Sequence, residues 1–262
     1  MFPYKHVLLI GATAGIGRAM ADRLVEAGVK VTAVGRRQDR LDEFVQKHGD
    51  DKARGVAFDM AEREKIPAFA RDLMHSDIDC LFLNAGIQSP DDVGNPAFDL
   101  QQFHHQINVN FSSFVDLVHA FLPSFTQRQT PTGIIFTGSN LAIVPAARLS
   151  AYSASKAALN VFTLCLREQL RETNIKVVEV SPPPVQTELH DYMGDAGRSL
   201  GMPLDIFTTR AFEGIVSGRD QIIIGSCGPE AVFNEIVDQR RMIFTNMAQM
   251  MRDRSRSSCS AK

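Results

Sequence analysis

Two residues four positions apart, Tyr152 and Lys156, could carry acid–base chemistry. They lie in the segment AYSASKAAL, at the start of a predicted helix, so both side chains project from one helix face. A free tyrosine has a pKa of about 10 and is a poor base at neutral pH until a nearby cation stabilises its phenolate. Lys156 can supply that cation, so the pair predicts a tyrosine that gives or takes a proton.

A hydroxyl that could face the same site is that of Ser139, which follows a predicted strand over 133–137. In an open parallel sheet, ligands bind at the carboxyl ends of the strands, where this hydroxyl would lie. We expect Ser139 to hydrogen-bond the oxygen of a substrate.

A glycine-rich turn, GATAGIG over residues 11–17, follows the first predicted strand and precedes a predicted helix. Such a turn lets the backbone approach a pyrophosphate closely, and the N–H groups of a helix N-terminus favour an anion. A tight turn without a ligand could have the same glycines, but its position at the first strand–helix junction favours a dinucleotide. The candidate cofactor-binding residues here are Gly11, Thr13, Gly15, Ile16 and Gly17.

Two arginines, Arg36 and Arg37, follow the second predicted strand, where an NAD site usually offers a carboxylate to the ribose hydroxyls. Guanidinium groups at this place would instead bind a 2′-phosphate. Arg37 could equally belong to a solvated charge pair that opens the next helix, and Arg36 is the stronger candidate. The sequence thus predicts NADP(H) as cofactor, with Asp59, after the third strand, as the partner of the adenine amino group.

The elements that must position these residues alternate along the chain between apolar strand segments and segments of helical period. This alternation predicts an α/β fold: a single Rossmann-like, doubly wound domain with a sheet of about seven parallel strands flanked by helices. The predicted strands span 6–10, 30–34, 55–58, 79–83, 133–137, 175–180 and 221–224. The predicted helices span 15–28, 38–48, 62–75, 100–128 and 152–173.

The chain divides into a catalytic domain over 1–251 and a tail over 252–262, which we expect to be disordered because it lacks apolar residues to bury. Within the domain, the segment before the last strand is long for a loop and is therefore expected to be functional. We name residues 188–205 the lid, because we expect them to cover the substrate.

The motifs together resemble those of the classical short-chain dehydrogenase/reductase family. They occur in the order and spacing of that family, over about residues 6–225: Gly11-x-x-x-Gly15-x-Gly17, Asn84-Ala85-Gly86, Asn110, Ser139 and Tyr152-x-x-x-Lys156. A lone tyrosine and lysine at helical spacing would be weak support, whereas the joint occurrence of five elements is specific.

The resemblance implies a catalytic set of Asn110, Ser139, Tyr152 and Lys156, in which Tyr152 protonates the developing oxyanion and Ser139 polarises the carbonyl. It also implies that Lys156 holds the nicotinamide ribose and that Asn110 holds a water of a proton relay. Asn108 competes with Asn110 for that role. Further cofactor contacts implied by the resemblance are Asn84, Ala85, Gly86, Tyr152, Val185 and Thr187.

Three positions depart from the family pattern. Ile10 stands where threonine usually precedes the first glycine, and Leu83 stands where a second asparagine usually precedes Ala-Gly. Pro183, in the segment PPPVQT, replaces the glycine of a Pro-Gly pair, and proline fixes φ and lacks an N–H. The backbone beside the nicotinamide is therefore expected to differ locally, and the segment is similar to a branch whose substrates are unassigned.

The substrate pocket is expected to be lined by 139–149, by residues near 87–95 and by the lid. These segments are mostly apolar, which favours a medium-sized hydrophobic ketone, aldehyde or alcohol. His190, Asp191 and Arg198 could contact a polar group of the substrate or could simply be solvated.

Apolar stripes on the predicted helices 100–128 and 152–173 could either cover the sheet or join subunits. In the family this helix pair forms an interface between subunits, so the resemblance implies a homodimer or homotetramer.

The bulk composition argues against several other classes of function. With 28 basic and 30 acidic residues, the formal charge of −2 gives no attraction for nucleic acid or an anionic membrane. The four scattered cysteines argue against a metal site and a disulfide framework, and we expect a cytoplasmic enzyme. The alternatives are an imine reductase, a cofactor-assisted cyclase or isomerase, and a dinucleotide sensor without turnover.

Overall fold

The computed structural model describes residues 1–74 and 76–259. The chain forms two compact units, one over Met1–Ile224 and a second that begins at Gly225. The predicted boundary of the catalytic domain at residue 251 thus differs from this division, because the last helix belongs to the second unit.

The first unit is built on one parallel sheet. Its strands are β1 (His6–Ile10), β2 (Lys30–Gly35), β3 (Ala53–Ala57), β4 (Cys80–Leu83), β5 (Thr132–Thr137), β6 (Ile175–Ser181) and β7 (Gln221–Ile223). They lie in the order β3-β2-β1-β4-β5-β6-β7, and every pairing is parallel. The direction of progression reverses between β1 and β4, and this switch point is where such sheets bind ligands. The predicted Rossmann-like α/β fold is confirmed.

Helices follow the strands. They are α1 (Gly15–Glu26), α2 (Gln38–His48), α3 (Ile66–Leu73), α4 (Leu100–Ile107), α5 (Ser113–Thr126), α6 (Ser150–Gln169), α7 (Asp195–Arg198), α8 (Leu204–Val216) and, in the second unit, α9 (Glu230–Cys259). Short 3₁₀ turns cover Arg63–Lys65, Asn140–Ala142 and Glu188–Met193, and a π-helical turn over Asn108–Ser112 joins α4 to α5.

Apolar layers cover both faces of the sheet, which is why its central strands read as continuous hydrophobic segments. In β1, Val7 and Leu9 face a cluster that includes Met20 and Leu24 of α1. Leu8 and Ile10 face the opposite cluster, which includes residues of α3, α5 and α6. This double burial keeps β1 in the interior of the sheet and holds the glycine turn that follows it at the carboxyl edge of the sheet.

The structure differs from the predicted helices at several places. The predicted helix 100–128 is interrupted by the π turn, and the predicted helix 62–75 begins with a 3₁₀ turn and ends at Leu73. Residue 75 of that prediction lies outside the described residues. The lid contains a 3₁₀ turn and α7, and α8 begins inside its predicted range, at Leu204.

The second unit consists mainly of α9, a helix of 30 residues. The helix extends through Cys259, into the segment for which we expected a disordered tail from residue 252. Polar side chains one turn apart, such as Gln249 and Asp253, bond to each other along it and offset the lack of apolar residues. Residues 260–262 of the predicted tail lie outside the described residues. Within the described residues, no helix is both long and apolar enough to cross a membrane.

Candidate active site

The N-terminus of α6 is held by a carboxylate from a distant loop. Asp91 Oδ1 accepts hydrogen bonds from Ser150 N at 3.0 Å and from Ser150 Oγ at 2.6 Å, and Asp91 Oδ2 accepts one from Ala151 N at 2.8 Å. These contacts satisfy N–H groups that the first turn of a helix leaves without partners. Tyr152 is the next residue, so Asp91 fixes the point from which the phenol projects.

Tyr152 lies in a closed environment, with 5% of its surface exposed. Burial raises the pKa of its phenol to about 12, a neighbouring Ser139 hydroxyl lowers this pKa through a side-chain hydrogen bond, and Tyr192 raises it. The phenol is therefore protonated throughout the neutral pH range. Such a group is suited to donate a proton to an oxyanion.

Lys156 is also buried, with 2% of its surface exposed. Its Nζ donates a hydrogen bond to the carbonyl oxygen of Thr137 at 2.8 Å and lies 5.8 Å from the centre of the Tyr152 ring. Burial lowers the pKa of this ammonium group to about 8, and the charge of Glu179 acts in the opposite direction. The end of β5 thus holds the lysine beside the ring of the tyrosine.

Ser139 follows β5 and begins the 3₁₀ turn over Asn140–Ala142. Its Oγ accepts a hydrogen bond from Leu141 N at 3.1 Å. The same hydroxyl lies close enough to the Tyr152 phenol to lower its pKa. The two side chains that the sequence placed at one carboxyl edge therefore meet in the structure.

Asn110 lies in the π turn and is fully buried. Its Oδ1 accepts from Ile87 N at 2.8 Å, and its Nδ2 donates to Ile87 O at 2.9 Å and to Ser155 Oγ at 3.1 Å. Ser155 Oγ in turn donates to the carbonyl oxygen of Tyr152 at 2.7 Å. The extra residue of a π turn re-aims side chains, and here Asn110, not Asn108, connects the loop after β4 to the helix of Tyr152.

Gly86 lies between these groups. A Cβ atom at Gly86 would be 3.6 Å from Asn110 Oδ1 and 3.8 Å from Lys156 Nζ. The backbone after β4 thus passes directly beside the buried asparagine and lysine. The structure therefore brings together Gly86, Asn110, Ser139, Tyr152 and Lys156, as the motif spacing predicts.

The glycine turn packs against the segment that follows β4. Gly11 has a φ of 86°, and a Cβ atom there would lie 2.5 Å from Ala85 Cα, so only glycine fits. Asn84 Nδ2 donates to Gly11 O at 3.1 Å, and Asn84 Oδ1 accepts from Thr137 Oγ1 at 2.9 Å. Asn84 therefore ties the turn after β1 to the end of β5.

The other end of the glycine turn opens α1. Ala14, the residue before the helix, makes no side-chain cap, and we find no acidic residue in the first turn of α1. The N–H groups of this turn can therefore serve an anionic ligand. Ile16 packs against the core, and Gly15 lies so close to Thr187 that a Cβ atom would be 3.1 Å from the threonine Cβ.

The two arginines after β2 have different surroundings. Arg37 Nε and Nη2 each lie 3.3 Å from Thr13 Oγ1 in the glycine turn. Arg36 is 63% exposed at its side chain, and its Nη1 lies 4.0 Å from Asp59 Oδ2. Asp59 Oδ1 also accepts from Ala61 N at 2.9 Å. The structure thus connects Arg37, the weaker candidate from sequence, directly to the turn.

Arg37 also joins the lid. Its Nη1 lies 2.7 Å from Glu188 Oε2, and Arg40 Nη1 lies 3.4 Å from Glu188 Oε1. The hydrogen bond from Arg37 lowers the pKa of the Glu188 carboxyl, which is therefore ionised at neutral pH. The preceding residue, Thr187, caps the 3₁₀ turn by accepting from Leu189 N at 3.4 Å.

The base of the lid is closed by backbone pairing. Met202 N donates to Pro184 O at 2.9 Å, and Gln186 N donates to Met202 O at 3.0 Å. Val185, between them, is buried and forms an isolated parallel bridge with Met202. The lid is therefore a loop whose two ends meet, which fixes its position over the carboxyl edge.

Polar side chains of the lid reach the loop after β4. His190 Nδ1 and Tyr192 Oη each lie 3.1 Å from Gln88 Oε1. Burial lowers the pKa of His190, which is therefore neutral at pH 7. Asp191 and Arg198, which the sequence left as substrate contacts or solvated charges, pair with each other at 2.9 Å. Tyr192 is close enough to Tyr152 to raise its pKa, which places this part of the lid near Tyr152.

Several residues of the site were not predicted. These residues contact others that lie 19 to 151 positions away along the chain, or they bond through a backbone carbonyl. They are Asp91, Thr137, Ser155 and Glu188. No local motif marks them in the sequence. Asp91 lay within a segment assigned to the pocket, and Glu188 lay at the start of the lid, but neither had a predicted role.

Comparison with known proteins identifies the relatives of this chain. A family model described as short chain dehydrogenase matches residues 5–196. The uncharacterized oxidoreductase DltE of Bacillus subtilis (strain 168) is 34% identical over 222 residues, which cover 82% of this chain and 86% of DltE. The NADP-dependent 3-hydroxy acid dehydrogenase YdfG of Shigella flexneri is 33% identical over 198 residues, which cover 74% of this chain and 79% of YdfG.

A solved structure has the same architecture. A short-chain dehydrogenase from Sphingobium yanoikuyae in complex with NADPH aligns with a TM-score of 0.80 at 25% identity, over 92% of this chain and 96% of its own. The fold, the site and these matches define the class of protein. The chain belongs to the short-chain dehydrogenase family and is an oxidoreductase, so the resemblance inferred from its motifs is confirmed.

Proposed function

We propose that this protein is an NADP(H)-dependent oxidoreductase that interconverts a carbonyl group and an alcohol on a medium-sized hydrophobic molecule. The observation that carries the proposal is the meeting of Ser139, Tyr152 and Lys156 at the carboxyl edge of the sheet, beside an uncapped helix N-terminus. Acid–base groups and an anion site at one edge are what a reaction with a dinucleotide needs.

The residues around the glycine turn fit NADP(H). The N–H groups of the first turn of α1 would hold the pyrophosphate, since the turn has no side-chain cap and its glycines admit no Cβ atom. Arg37, fixed by Thr13, and Arg36 would neutralise the 2′-phosphate, and Asp59 would accept from the adenine amino group. YdfG and the Sphingobium protein, which use or bind NADP(H) by their names, support this choice.

The remaining cofactor contacts are proposed from where their residues lie relative to the glycine turn and the lid. Asn84, Ala85 and Gly86 would line the adenosine ribose, because Ala85 lies against Gly11 of the glycine turn. Val185 and Thr187, at the base of the lid, would face the nicotinamide. When bound, NADP(H) supplies or accepts the hydride.

The residues of the chain would supply the proton and the orientation. Ser139 holds the substrate carbonyl oxygen toward Tyr152, and Tyr152 donates its phenolic proton to the oxygen as negative charge develops there. Its raised pKa makes it protonated at neutral pH, so the reductive direction needs no prior protonation. The buried Lys156 ammonium then stabilises the phenolate, and Asn110, fixed by its bonds to the backbone of Ile87, would hold the water of the proton relay that returns the proton to Tyr152.

The substrate class follows from the lid. Apolar lid side chains such as Met193 and Leu200 are partly exposed, and they can cover an apolar molecule. Gln88, His190 and Tyr192 provide one polar contact region near the catalytic tyrosine. The membership in a family of dehydrogenases favours turnover over a sensor role, and no separate observation favours imine reduction or isomerisation.

The assembly is proposed to be a homodimer or homotetramer in the cytoplasm. Phe114, Leu117 and Phe121 of α5 are fully buried and cover the chain's own sheet. Phe111 and Phe162 remain partly exposed, and Val161 is exposed, so this second face of the helix pair is available to another subunit.

The test is titration of the protein with NADPH and NADH by calorimetry, followed by absorbance at the NADPH band with a panel of hydrophobic ketones. Tighter binding of NADPH than NADH, with turnover of at least one ketone, would support the proposal. Equal binding of the two dinucleotides would contradict the assignment of the 2′-phosphate site, and binding without turnover would contradict the reductase.

A further inference from the structure

A buried carboxylate that the proposed reaction does not use lies on β6. Glu179 is 1% exposed, and its Oε2 accepts a hydrogen bond from Asn160 Nδ2 at 2.8 Å. An ionised carboxylate in a protein interior is costly unless hydrogen-bond donors or a cation compensate it. A carboxylate in this position is therefore expected to face a cation.

The alternation of side chains along β6 directs Glu179 toward α6. Its neighbours in the strand, Val178 and Val180, pack in the apolar cluster that includes residues of α1 and α8. Successive side chains of a strand point to opposite faces, so Glu179 points to the face that α6 covers. Its partner Asn160 lies in α6, four residues after Lys156 and hence on the same helix face.

The end of β5 brings this carboxylate and the lysine to one place. Lys156 Nζ donates to the carbonyl oxygen of Thr137 at 2.8 Å. The next residue, Gly138, lies so close to Glu179 that a Cβ atom there would overlap Oε1. The ammonium group and the carboxylate thus lie beside two consecutive residues, and the glycine leaves the space that the carboxylate occupies.

Both charged groups are shielded from water, since Lys156 is 2% and Glu179 is 1% exposed. Burial lowers the pKa of the ammonium group to about 8, and the charge of Glu179 acts to raise it. Opposite charges attract more strongly in a protein interior than in water. The carboxylate therefore keeps a larger fraction of Lys156 protonated at neutral pH than burial alone would allow.

The other described groups around Lys156 are uncharged at neutral pH. On its own helix, the ring of Tyr152 lies 5.8 Å from Nζ, and the raised pKa of its phenol keeps it protonated. The end of β5 faces the lysine with a backbone carbonyl, and the loop after β4 passes beside it at Gly86, next to the amide of Asn110. None of these groups can replace the negative charge of Glu179.

We propose that Glu179 is a positioning residue for Lys156, whose buried carboxylate keeps the lysine side chain protonated and directed to the end of β5. The inference rests on the proposed function, in which the charged ammonium group stabilises the Tyr152 phenolate. Glu179 acts only through Lys156, so its effect is on the charge of the lysine and not on the binding of NADP(H) phosphates.

The test is the substitution Glu179→Gln, which keeps the size of the side chain and an oxygen that can accept from Asn160 but removes the charge. Asn160→Ala is the matched control, because it removes the hydrogen bond and keeps the charge. Glu179→Asp is the conservative variant, because it keeps the charge on a shorter side chain.

Two pH dependences are measured on each protein. The first is the rate of ketone reduction. The second needs no substrate and is the pH at which the free energy of unfolding begins to rise. Above the folded-state pKa of Lys156 and below that of a free lysine, the unfolded chain binds more protons than the folded chain, so stability rises with pH from that pKa upward.

In the wild type, the rate of reduction should fall and the free energy of unfolding should begin to rise near pH 8, the pKa of Lys156. Glu179→Gln should move both changes to lower pH by roughly one unit or more, since an opposite charge at close range shifts a pKa by about 1–3 units. Glu179→Asp should restore most of the shift. Asn160→Ala should leave both changes at the wild-type pH, even where it lowers the melting temperature.

The unfolding measurement decides the inference by itself. A rise in stability that begins at the wild-type pH in Glu179→Gln would overturn it, whatever the rate of reduction does. An equal shift in Asn160→Ala would also overturn it, because the cause would then be packing and not charge. A wild type that reduces no ketone would contradict the proposed function and leave this readout intact.

A double variant covers the case in which Glu179→Gln does not fold. Glu179→Gln leaves an ammonium group buried without its counter-charge, whereas Glu179→Gln combined with Lys156→Met buries neither charge. The double variant should therefore melt at a higher temperature than Glu179→Gln alone at pH 7. A double variant that melts at the same or a lower temperature would overturn the pairing of the two residues.

Discussion

Glu188 and Arg37 form an ion pair, with 2.7 Å between Oε2 and Nη1, that connects the first residue of the lid to the arginine after β2. Arg37 is at the same time bonded to Thr13 in the glycine turn. The carboxylate of Glu188 therefore lies where the proposed 2′-phosphate would need the guanidinium group. The guanidinium group of Arg37 therefore contacts both the lid and the cofactor end of the site.

We predict that Glu188→Gln raises the affinity for NADPH by a few-fold and leaves the affinity for NADH unchanged. The carboxylate competes with the 2′-phosphate for Arg37, and a partly exposed ion pair is worth about 0.2–1 kcal/mol. Calorimetric titration measures both affinities. Asp191→Asn is the matched control, since it removes another ion pair of the lid, to Arg198, and should change neither affinity. A rise for NADH as large as that for NADPH would contradict the competition.

Substitution of the arginines should affect the two dinucleotides differently. Arg37→Ala and Arg36→Ala should each weaken NADPH binding by roughly tenfold or more, because a hydrogen bond to a charged group contributes about 1.5–3 kcal/mol. NADH binding should stay within about two-fold. We expect the larger effect at Arg37, whose guanidinium group is fixed against Thr13. Equal losses for both dinucleotides would place the 2′-phosphate elsewhere.

Asp91 should prove to be a positioning residue for Tyr152. Asp91→Ala removes three hydrogen bonds to the first residues of α6, and loss of a helix cap costs about 1–2 kcal/mol. We expect a lower melting temperature and a lower kcat, with the affinity for NADPH nearly unchanged. Asp92→Ala is the control, because the Asp92 side chain accepts a hydrogen bond from Gly94 N in its own loop. An unchanged kcat in Asp91→Ala would show that α6 is held without it.

The buried ammonium group of Lys156 should leave a signature in the stability of the protein. Burial lowers its pKa to about 8 in the folded state, below the ordinary lysine value, so between these two values the unfolded chain binds more protons than the folded chain. The contribution of Lys156 to the free energy of unfolding should therefore rise as the pH is raised from about 8. Denaturant titrations at pH 7, 8 and 9 should show this rise in the wild type and not in Lys156→Met. A rise of the same size in the variant would assign it to another group.

The sequence predicted the sheet and the motif residues closely. The observed bounds of β1 and α2 are the predicted ones. A short apolar run and a clear helical period each mark where such an element begins and ends. Ser139 follows the end of β5, and Lys156 of α6 bonds the last carbonyl of that strand, at Thr137, which brings Tyr152 to the same edge. Parallel topology brings such ends to one edge.

Other features depend on contacts between distant residues and could not be predicted. The choice between Arg36 and Arg37 depends on Thr13 and Glu188, and Glu188 is 151 positions from Arg37. The π turn that aims Asn110 is stabilised by the backbone of Ile87 and has no signal of its own in the sequence. The part of α9 beyond residue 251 was not expected, because that segment offers no large apolar residues to bury.

The measurement that tests the central claim most directly is the turnover and cofactor binding of Tyr152→Phe. The substitution removes only the phenolic oxygen, so the account predicts a fall in the rate of ketone reduction of roughly 10²–10⁴-fold, with NADPH affinity within a few-fold of the wild type. Ketone reduction at the wild-type rate would contradict the role of Tyr152 as the proton donor, and a loss of NADPH binding would show that the phenol serves the cofactor and not the proton.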